Sequence, residues 1–198
     1  PPPPPPPPPP LFFLSEDGIR ASVASRGLGD VYKRQILGNG VDDFINALGK
    51  RNDKSKIDIK TLHLIAKEKS RRRAELVWRN DPKVVEQITE LAFSIEDDTK
   101  PLQLLCVLDG VNVPTASSML SWLFPEKWPV IDQRAWRTLH RAGVVTSRPS
   151  GTALGVSQWR VYLQAVRALQ AQLGELATTP QQVDRLLYGL DDLSGGRA

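Results

Sequence analysis

The chain has 198 residues, of which 26 are basic and 22 acidic, so its formal net charge at neutral pH is +4. This small excess permits a polyanionic partner without requiring one, so a nucleic-acid partner has to be argued from where the charges lie. Cys106 is the one cysteine, which excludes an internal disulfide and a four-cysteine zinc or iron–sulfur site and favours a reducing, cytoplasmic location.

The first 35 residues do not resemble a natural coding segment. Residues 1–10 are all proline, and residues 15–20 and 25–35 resemble in-frame translations of sequencing-library adapters. The alternative is a polyproline II arm followed by a targeting segment, but the apolar run 11–14 is too short for a signal peptide. We therefore expect residues 1–35 to be a non-native, disordered segment and the fold to begin at Ile36.

Residues 36–198 are expected to form one all-α domain. Helix caps and 3.6-residue apolar periods recur along them, no segment alternates with period two, and no apolar run reaches the roughly 20 residues of a membrane span. The predicted helices cover residues 41–48, a stretch after Asp58, a stretch after Asp81-Pro82, a stretch from Thr99 to Leu108, and then 114–123, 133–142, 159–173 and a last helix from Thr179.

The densest basic run follows the second of these helices. It comprises Lys67, Lys69 and Arg71 to Arg73. Such a run can contact nucleic-acid phosphates, although charged runs more often simply face water. The sequence leaves both interpretations open.

Residues 101–123 have the pattern of a helix-hairpin-helix. A helix is expected to end at Leu108, Gly110 to take the positive φ of a tight reversal, and Asn112 to tolerate a left-handed conformation. Pro114 can start the second helix. The turn would then present backbone amides beside a helix N-terminus, which attracts phosphate, although an ordinary helical hairpin uses glycine in the same way.

Four features of residues 101–141 together resemble the helix-hairpin-helix superfamily of base-excision DNA glycosylases, which includes endonuclease III and the adenine glycosylase. They are Gly110-Val111, Thr115-Ala116, Pro129-Val130-Ile131-Asp132, and the 22-residue step from Gly110 to Asp132. The resemblance implies a glycosylase-like all-α fold and a DNA partner. It also implies that Asp132 lies at the mouth of a cleft, facing the sugar of a flipped nucleotide.

Asp132 can have a catalytic role, a structural role as a helix cap, or both. Breaking the bond between base and sugar develops positive charge on the sugar, which a nearby carboxylate stabilises while it orients the attacking water. An aspartate before Gln133 is equally a standard helix N-cap, and the two roles are compatible.

The remaining candidate DNA contacts divide between the hairpin and the helix after Asp132. The hairpin candidates are expected to hold backbone phosphate. The helix supplies three arginines whose spacings of three and four put them on one face. That face is either a DNA contact or a solvated face. These candidates are Gly110, Val111, Asn112, Val113 and Thr115 in the hairpin, and Arg134, Arg137 and Arg141 in the helix.

The sequence departs from the superfamily at three positions. Bifunctional members carry a Schiff-base lysine in the second hairpin helix, where this chain has Pro114, and residues 101–126 contain no lysine. Asn112 replaces the second hairpin glycine, and the negative charge of Asp109 is unfavourable near a phosphate.

The sequence therefore predicts a monofunctional DNA glycosylase-like protein, without metal or cofactor, that removes a damaged or mispaired base without strand cleavage. Two alternatives stay open. One is a non-catalytic, nucleic-acid-binding helix-hairpin-helix module, and the other is a protein-interaction scaffold that shares only the helical architecture. The damaged base and the oligomeric state are left open.

Overall fold

The computed structural model of the chain describes residues 40–193, with side chains over residues 43–191. The adapter-like segment 1–35 lies outside the described residues. Over the described range the secondary structure is helical and contains no strand, so the all-α prediction is confirmed there. None of the described helices is long and apolar enough to cross a membrane.

The described residues form nine α-helices and two short 3₁₀-helices. In chain order they are α1 (Gly40–Gly49), α2 (Ile59–Lys69), α3 (Arg71–Ala74), a 3₁₀-helix (Glu75–Arg79), α4 (Pro82–Ser94), α5 (Lys100–Leu105), α6 (Val113–Leu123), α7 (Gln133–Arg141), α8 (Val156–Leu173), a second 3₁₀-helix (Gly174–Leu176) and α9 (Pro180–Leu193).

Side-chain caps start several of these helices where the sequence predicts them. The carboxylate of Asp58 accepts a hydrogen bond from the Thr61 amide at 2.7 Å, and that of Asp81 accepts one from the Lys83 amide at 2.7 Å. Each cap satisfies an amide that the first helical turn leaves without a backbone partner. Helices α2 and α4 therefore begin where local chemistry sets them.

Helix α6 is the central element of the fold. It packs against α1, α2 and α5, and every side chain from Thr115 to Leu123 is buried. The small polar residues among them satisfy their hydroxyls locally, since Ser117 and Ser118 both donate to the Pro114 carbonyl at 2.9 Å. These small, internally bonded side chains allow neighbouring helices to lie close to α6.

Helix α9 closes the other side of the molecule. Its first turn is joined to α6 by a hydrogen bond from Gln181 to the Ser121 carbonyl at 3.1 Å. Further along, the Thr138 hydroxyl of α7 donates to the Leu187 carbonyl at 2.9 Å. Because α9 contacts both α6 and α7, it closes the gap between these two helices.

The hairpin turn differs from its prediction in two respects. Helix α5 ends at Leu105 instead of Leu108, and residues 106–108 continue as a hydrogen-bonded turn. Asn112 is extended, at φ −115°, and its side chain accepts from the Thr115 amide at 3.1 Å, so the left-handed conformation expected of it is wrong. The physical reason is that Asn112 serves as the N-cap of α6.

Gly110 does take the positive φ that the sequence predicts, at +84°. A Cβ at this position would lie 2.9 Å from the carbonyl oxygen of Arg73 and 2.8 Å from a methyl carbon of Val77. Next to it, the Asn80 side chain forms two hydrogen bonds with the backbone of Asp109, at 2.9 and 3.0 Å. The turn is therefore packed directly against α3 and the 3₁₀-helix that follows.

This packing predicts that Gly110→Ala destabilises the protein more than Gly143→Ala. Gly143 also has a positive φ, +73°, but a Cβ there would meet nothing within 4 Å. The left-handed backbone alone costs an alanine about 1–2 kcal/mol, and at Gly110 the displacement of the Arg73 and Val77 backbone adds to that cost. Urea unfolding of both variants measures the difference, and equal losses of stability would show that the close contact is unimportant.

Candidate functional site

The candidate site is a pocket of about 300 Å³ between α1, α2, α6, α9 and the loop before α7. Aromatic and apolar side chains form part of its wall, among them Ile45, Trp122 and Tyr188. Polar and charged side chains form much of the rest, namely Glu68, Lys69, Asp132, Gln181, Asp184 and Arg185. A concave apolar surface with convergent polar groups is the usual form of a small-molecule or nucleotide site.

Asp132 lies in the wall of this pocket and also caps α7. Its carboxylate accepts a hydrogen bond from the Arg134 amide at 2.8 Å. The preceding residue, Ile131, donates its amide to the Ser117 hydroxyl at 3.1 Å. The second helix of the hairpin therefore positions the loop that carries Asp132, and both roles that the sequence allowed for this aspartate are geometrically compatible.

A second carboxyl group, Asp184 on α9, lines the same pocket. Only 7% of the residue is exposed, and it accepts hydrogen bonds from the Tyr162 hydroxyl, at 2.7 Å, and from the Val130 amide. Burial raises the pKa of Asp184 to about 7, although these hydrogen bonds and the charge of Lys69 oppose the shift. A group with that pKa can donate or accept a proton at neutral pH.

The sequence analysis did not single out Asp184, although a signal for it exists. Asp184, Leu187 and Asp191 follow one another at spacings of three and four, so they share a face of α9. Leu187 is buried in the core, so both aspartates also point inward. An acidic residue on the apolar face of a helix is costly unless it is paired or functional, which marks it as a candidate.

The three arginines of α7 share one face, and that face lies against α9. The guanidinium of Arg134 lies 4.7 Å from the centre of the Tyr188 ring. Arg137 and Arg141 both form ion pairs with Asp191, which is fully buried. Desolvation raises the pKa of Asp191, but hydrogen bonds from both arginines outweigh it and hold the pKa below its ordinary value.

These ion pairs give Arg137 and Arg141 a structural role that the sequence did not predict. The side chain of Arg137 is only 14% exposed, so it does not belong to a solvated face. The expected DNA contact by these arginines stays a prediction, and for Arg137 the pair with Asp191 competes with it directly. A partner fifty or more residues away in sequence cannot be inferred from local spacing.

The hairpin residues predicted to hold phosphate are mostly covered. The side chains of Val111, Val113 and Thr115 are buried, as is Gly110. Among the turn amides, that of Asp109 donates to the Asn80 side chain at 2.9 Å and that of Val111 donates to the Leu108 carbonyl at 3.1 Å. The expectation that the turn presents its amides freely is therefore wrong for these two groups, because Asn80 and the turn itself already accept their hydrogen bonds.

The comparisons with known proteins give no independent assignment. No family model, curated protein or solved structure matches the chain. Over the described residues, no three His, Cys, Asp or Glu side chains are grouped so that they could hold a metal ion. The resemblance to glycosylases therefore depends on the sequence features of residues 101–141 alone.

The burial of Asp184 predicts a specific pH dependence of stability. Its ordinary pKa is 3.8, and in the folded protein it is about 7, so the folded state keeps the proton to higher pH. The stability that protonated Asp184 contributes is full below about pH 4 and is lost as the pH rises towards 7, with a slope of at most about 1.4 kcal/mol per pH unit. The Asp184→Asn variant lacks this pH-dependent contribution. The free energy of unfolding of the variant should therefore rise relative to that of the wild type as pH rises from 4.5 to about 7.5.

Urea unfolding across this pH range tests the prediction, with Asp97→Asn as the matched control. Hydrogen bonds from the amides of Lys100 and Thr99 lower the pKa of Asp97, so its own contribution changes only at more acidic pH. The control should therefore run parallel to the wild type. If the Asp184→Asn curve also runs parallel, Asp184 does not titrate in this window.

Proposed function

We propose that this protein is a monofunctional DNA glycosylase of the helix-hairpin-helix type, which removes a damaged or mispaired base from DNA and leaves the strand intact. The observation that carries the proposal is the position of Asp132. This residue stands at the superfamily-like spacing from Gly110, it lines the pocket, and Ser117 of the hairpin's second helix holds the loop that carries it.

The character of the pocket supports a flipped nucleotide as its ligand. The bond between base and sugar is inaccessible in a stacked duplex, so a glycosylase must take the nucleotide out of the helix. Trp122 and Tyr188 offer aromatic surface for the base, and Lys69 and Arg185 supply positive charge for the neighbouring phosphates. Such a mixture suits a ligand that has both a ring and an anionic backbone.

In the proposed reaction, water cleaves the bond between the sugar C1′ and the base nitrogen. The base leaves with the bonding electron pair and gains a proton, while the water oxygen bonds to C1′ and the water loses a proton. Asp132 stabilises the positive charge that develops on the sugar and orients the water. Asp184, whose pKa is about 7, is suited to supply the proton that the leaving base requires.

The proposal excludes strand cleavage through a lysine Schiff base. Pro114 occupies the position of the lysine in bifunctional relatives, and the pocket lysine, Lys69, comes from α2 instead of the hairpin. Its ammonium lies 5.8 Å from the centre of the Trp122 ring. Borohydride treatment during turnover should therefore trap no covalent adduct, and a trapped adduct that disappears in Lys69→Ala would show a bifunctional enzyme.

A non-catalytic nucleic-acid-binding module is the second candidate. The observation that favours it is the hydrogen bond from the Arg134 amide to Asp132, because a cap explains an aspartate at this position without any chemistry. The two candidates differ in whether the carboxylate charge is needed. They can therefore be separated by a substitution that keeps the cap and removes the charge.

Asp132→Asn is that substitution, because asparagine caps helices as well as aspartate does. We expect base release to fall at least about 100-fold, while stability and DNA affinity stay close to those of the wild type. Single-turnover assays on a panel of duplexes with damaged or mismatched bases measure this effect.

Asp81→Asn is the matched control for this experiment. Asp81 caps α4 with the same geometry, accepting from the Lys83 amide at 2.7 Å, and it is not part of the pocket wall. Its variant should release bases at the wild-type rate. Unchanged release by Asp132→Asn would refute the catalytic role, and a wild type that binds DNA but releases no base from any duplex would favour the binding module.

A further inference from the structure

The basic run at the end of α2 forms an exposed surface, which we name the basic corner and define as residues 67–73. Lys67 and Arg71 to Arg73 are exposed at this corner. No carboxylate of the described residues forms an ion pair with these four side chains. Other surface cations do have such partners, for example Lys56 with Glu86 at 2.7 Å and Arg167 with Asp98 at 2.6 Å.

The corner is held in a fixed shape by its backbone. Ser70 ends α2 with an amide bond to the Ala66 carbonyl at 2.8 Å, and its own carbonyl accepts from the Arg73 and Ala74 amides at 3.0 Å. Ala66 and Ala74 are both fully buried. Backbone hydrogen bonds and buried alanines therefore define the shape of the corner, and its exposed side chains comprise four cations and the carboxylate of Glu68.

The hairpin turn lies directly beneath this support. The backbone of Gly110 comes so close to α3 that a Cβ on it would lie only 2.9 Å from the Arg73 carbonyl oxygen, so the contact requires glycine. Asn80, which follows the 3₁₀-helix, also joins its side chain to the Asp109 backbone by two hydrogen bonds. The hairpin turn therefore packs against the backbone of the basic corner and supports it.

The corner is continuous with the candidate site through two residues, Glu68 and Lys69. Both line the pocket that contains Asp132, and both line a second pocket together with Lys67 and Arg71. The three cations there outnumber the one carboxylate, so an extended polyanion that crossed the corner would reach the pocket along a surface of net positive charge. The backbone of a nucleic acid has this extended form and regular negative charge.

We propose that the basic corner holds the phosphodiester backbone of duplex DNA beside the pocket, and that the hairpin turn supports the corner instead of gripping phosphate itself. The choice of DNA as the polyanion rests on the proposed function. Residues 67–73, instead of residues 110–115, then make the principal contact with phosphate.

The test replaces three arginines of the corner by glutamine, in Arg71→Gln/Arg72→Gln/Arg73→Gln, in the full chain. Glutamine has nearly the helix propensity of arginine, so the short helix should persist. Affinity for a short duplex is measured against salt concentration by fluorescence anisotropy. We expect the dissociation constant at moderate salt to rise about tenfold or more, and the slope of log affinity against log salt to fall by about 0.9 for each lost phosphate contact.

Two further triple variants serve as controls. Lys83→Gln/Arg148→Gln/Arg160→Gln removes the same charge from exposed positions outside the corner and should keep most of the affinity and slope. Arg71→Lys/Arg72→Lys/Arg73→Lys keeps the charge and should also keep most of the affinity. A corner variant that binds as the wild type does, an equal loss in the Lys83 control, or an equal loss in the lysine variant would each overturn the inference.

A parallel titration with single-stranded RNA of the same length tests the choice of polyanion. Tighter binding of RNA than of the duplex through the corner would overturn that choice. Base release at saturating protein separates this inference from the proposed function. A wild type that binds the duplex through the corner but releases no base would refute the glycosylase alone, whereas base release with unchanged affinity in the corner variant would refute the corner alone.

Discussion

The buried carboxyl group of Asp184 is the interaction on which the pocket depends. It belongs to α9, and it accepts hydrogen bonds from the Tyr162 hydroxyl of α8 and from the Val130 amide in the loop before α7. A buried carboxyl group without such donors would cost several kcal/mol, so the three elements are held to one mutual arrangement. The same arrangement places Asp132 two residues beyond Val130, in the pocket wall. The carboxyl group that we propose as the proton donor therefore also fixes the arrangement of these elements.

Sequence reasoning succeeded where the cause of a structure lies within a few residues of it. Asp58 and Asp81 cap helices because their carboxylates reach amides two or three residues ahead, and Gly110 turns the chain because it lacks a Cβ. The position of Asp132 at the start of α7 follows from the same kind of local signal. The starts of α2, α4 and α7 and the turn at Gly110 were accordingly predictable.

Sequence reasoning failed where a distant segment decides the outcome. Asp191 forms ion pairs with Arg137 and Arg141, and the Asn80 side chain accepts a hydrogen bond from the Asp109 amide. Neither partner can be inferred from the local pattern around the arginines or the hairpin. The spacing to Leu187 marks Asp184 as inward-facing, but the depth of its burial depends on how α9 docks. Helix α3 and the 3₁₀-helix after it were also missed, since the charged run hides the helical signal there, and these elements cover the hairpin turn.

Residues near both ends of the described chain line the pocket. Ile45 of α1 and Tyr188 of α9 line the same cavity, so its formation requires almost the entire described sequence. Contacts between such distant residues carry the largest loop-closure entropy and form slowly. The basic corner and its hairpin support need a much shorter span. During synthesis, the segment that forms the basic corner and the hairpin turn would thus be complete before the cavity, which requires docking of the last helix.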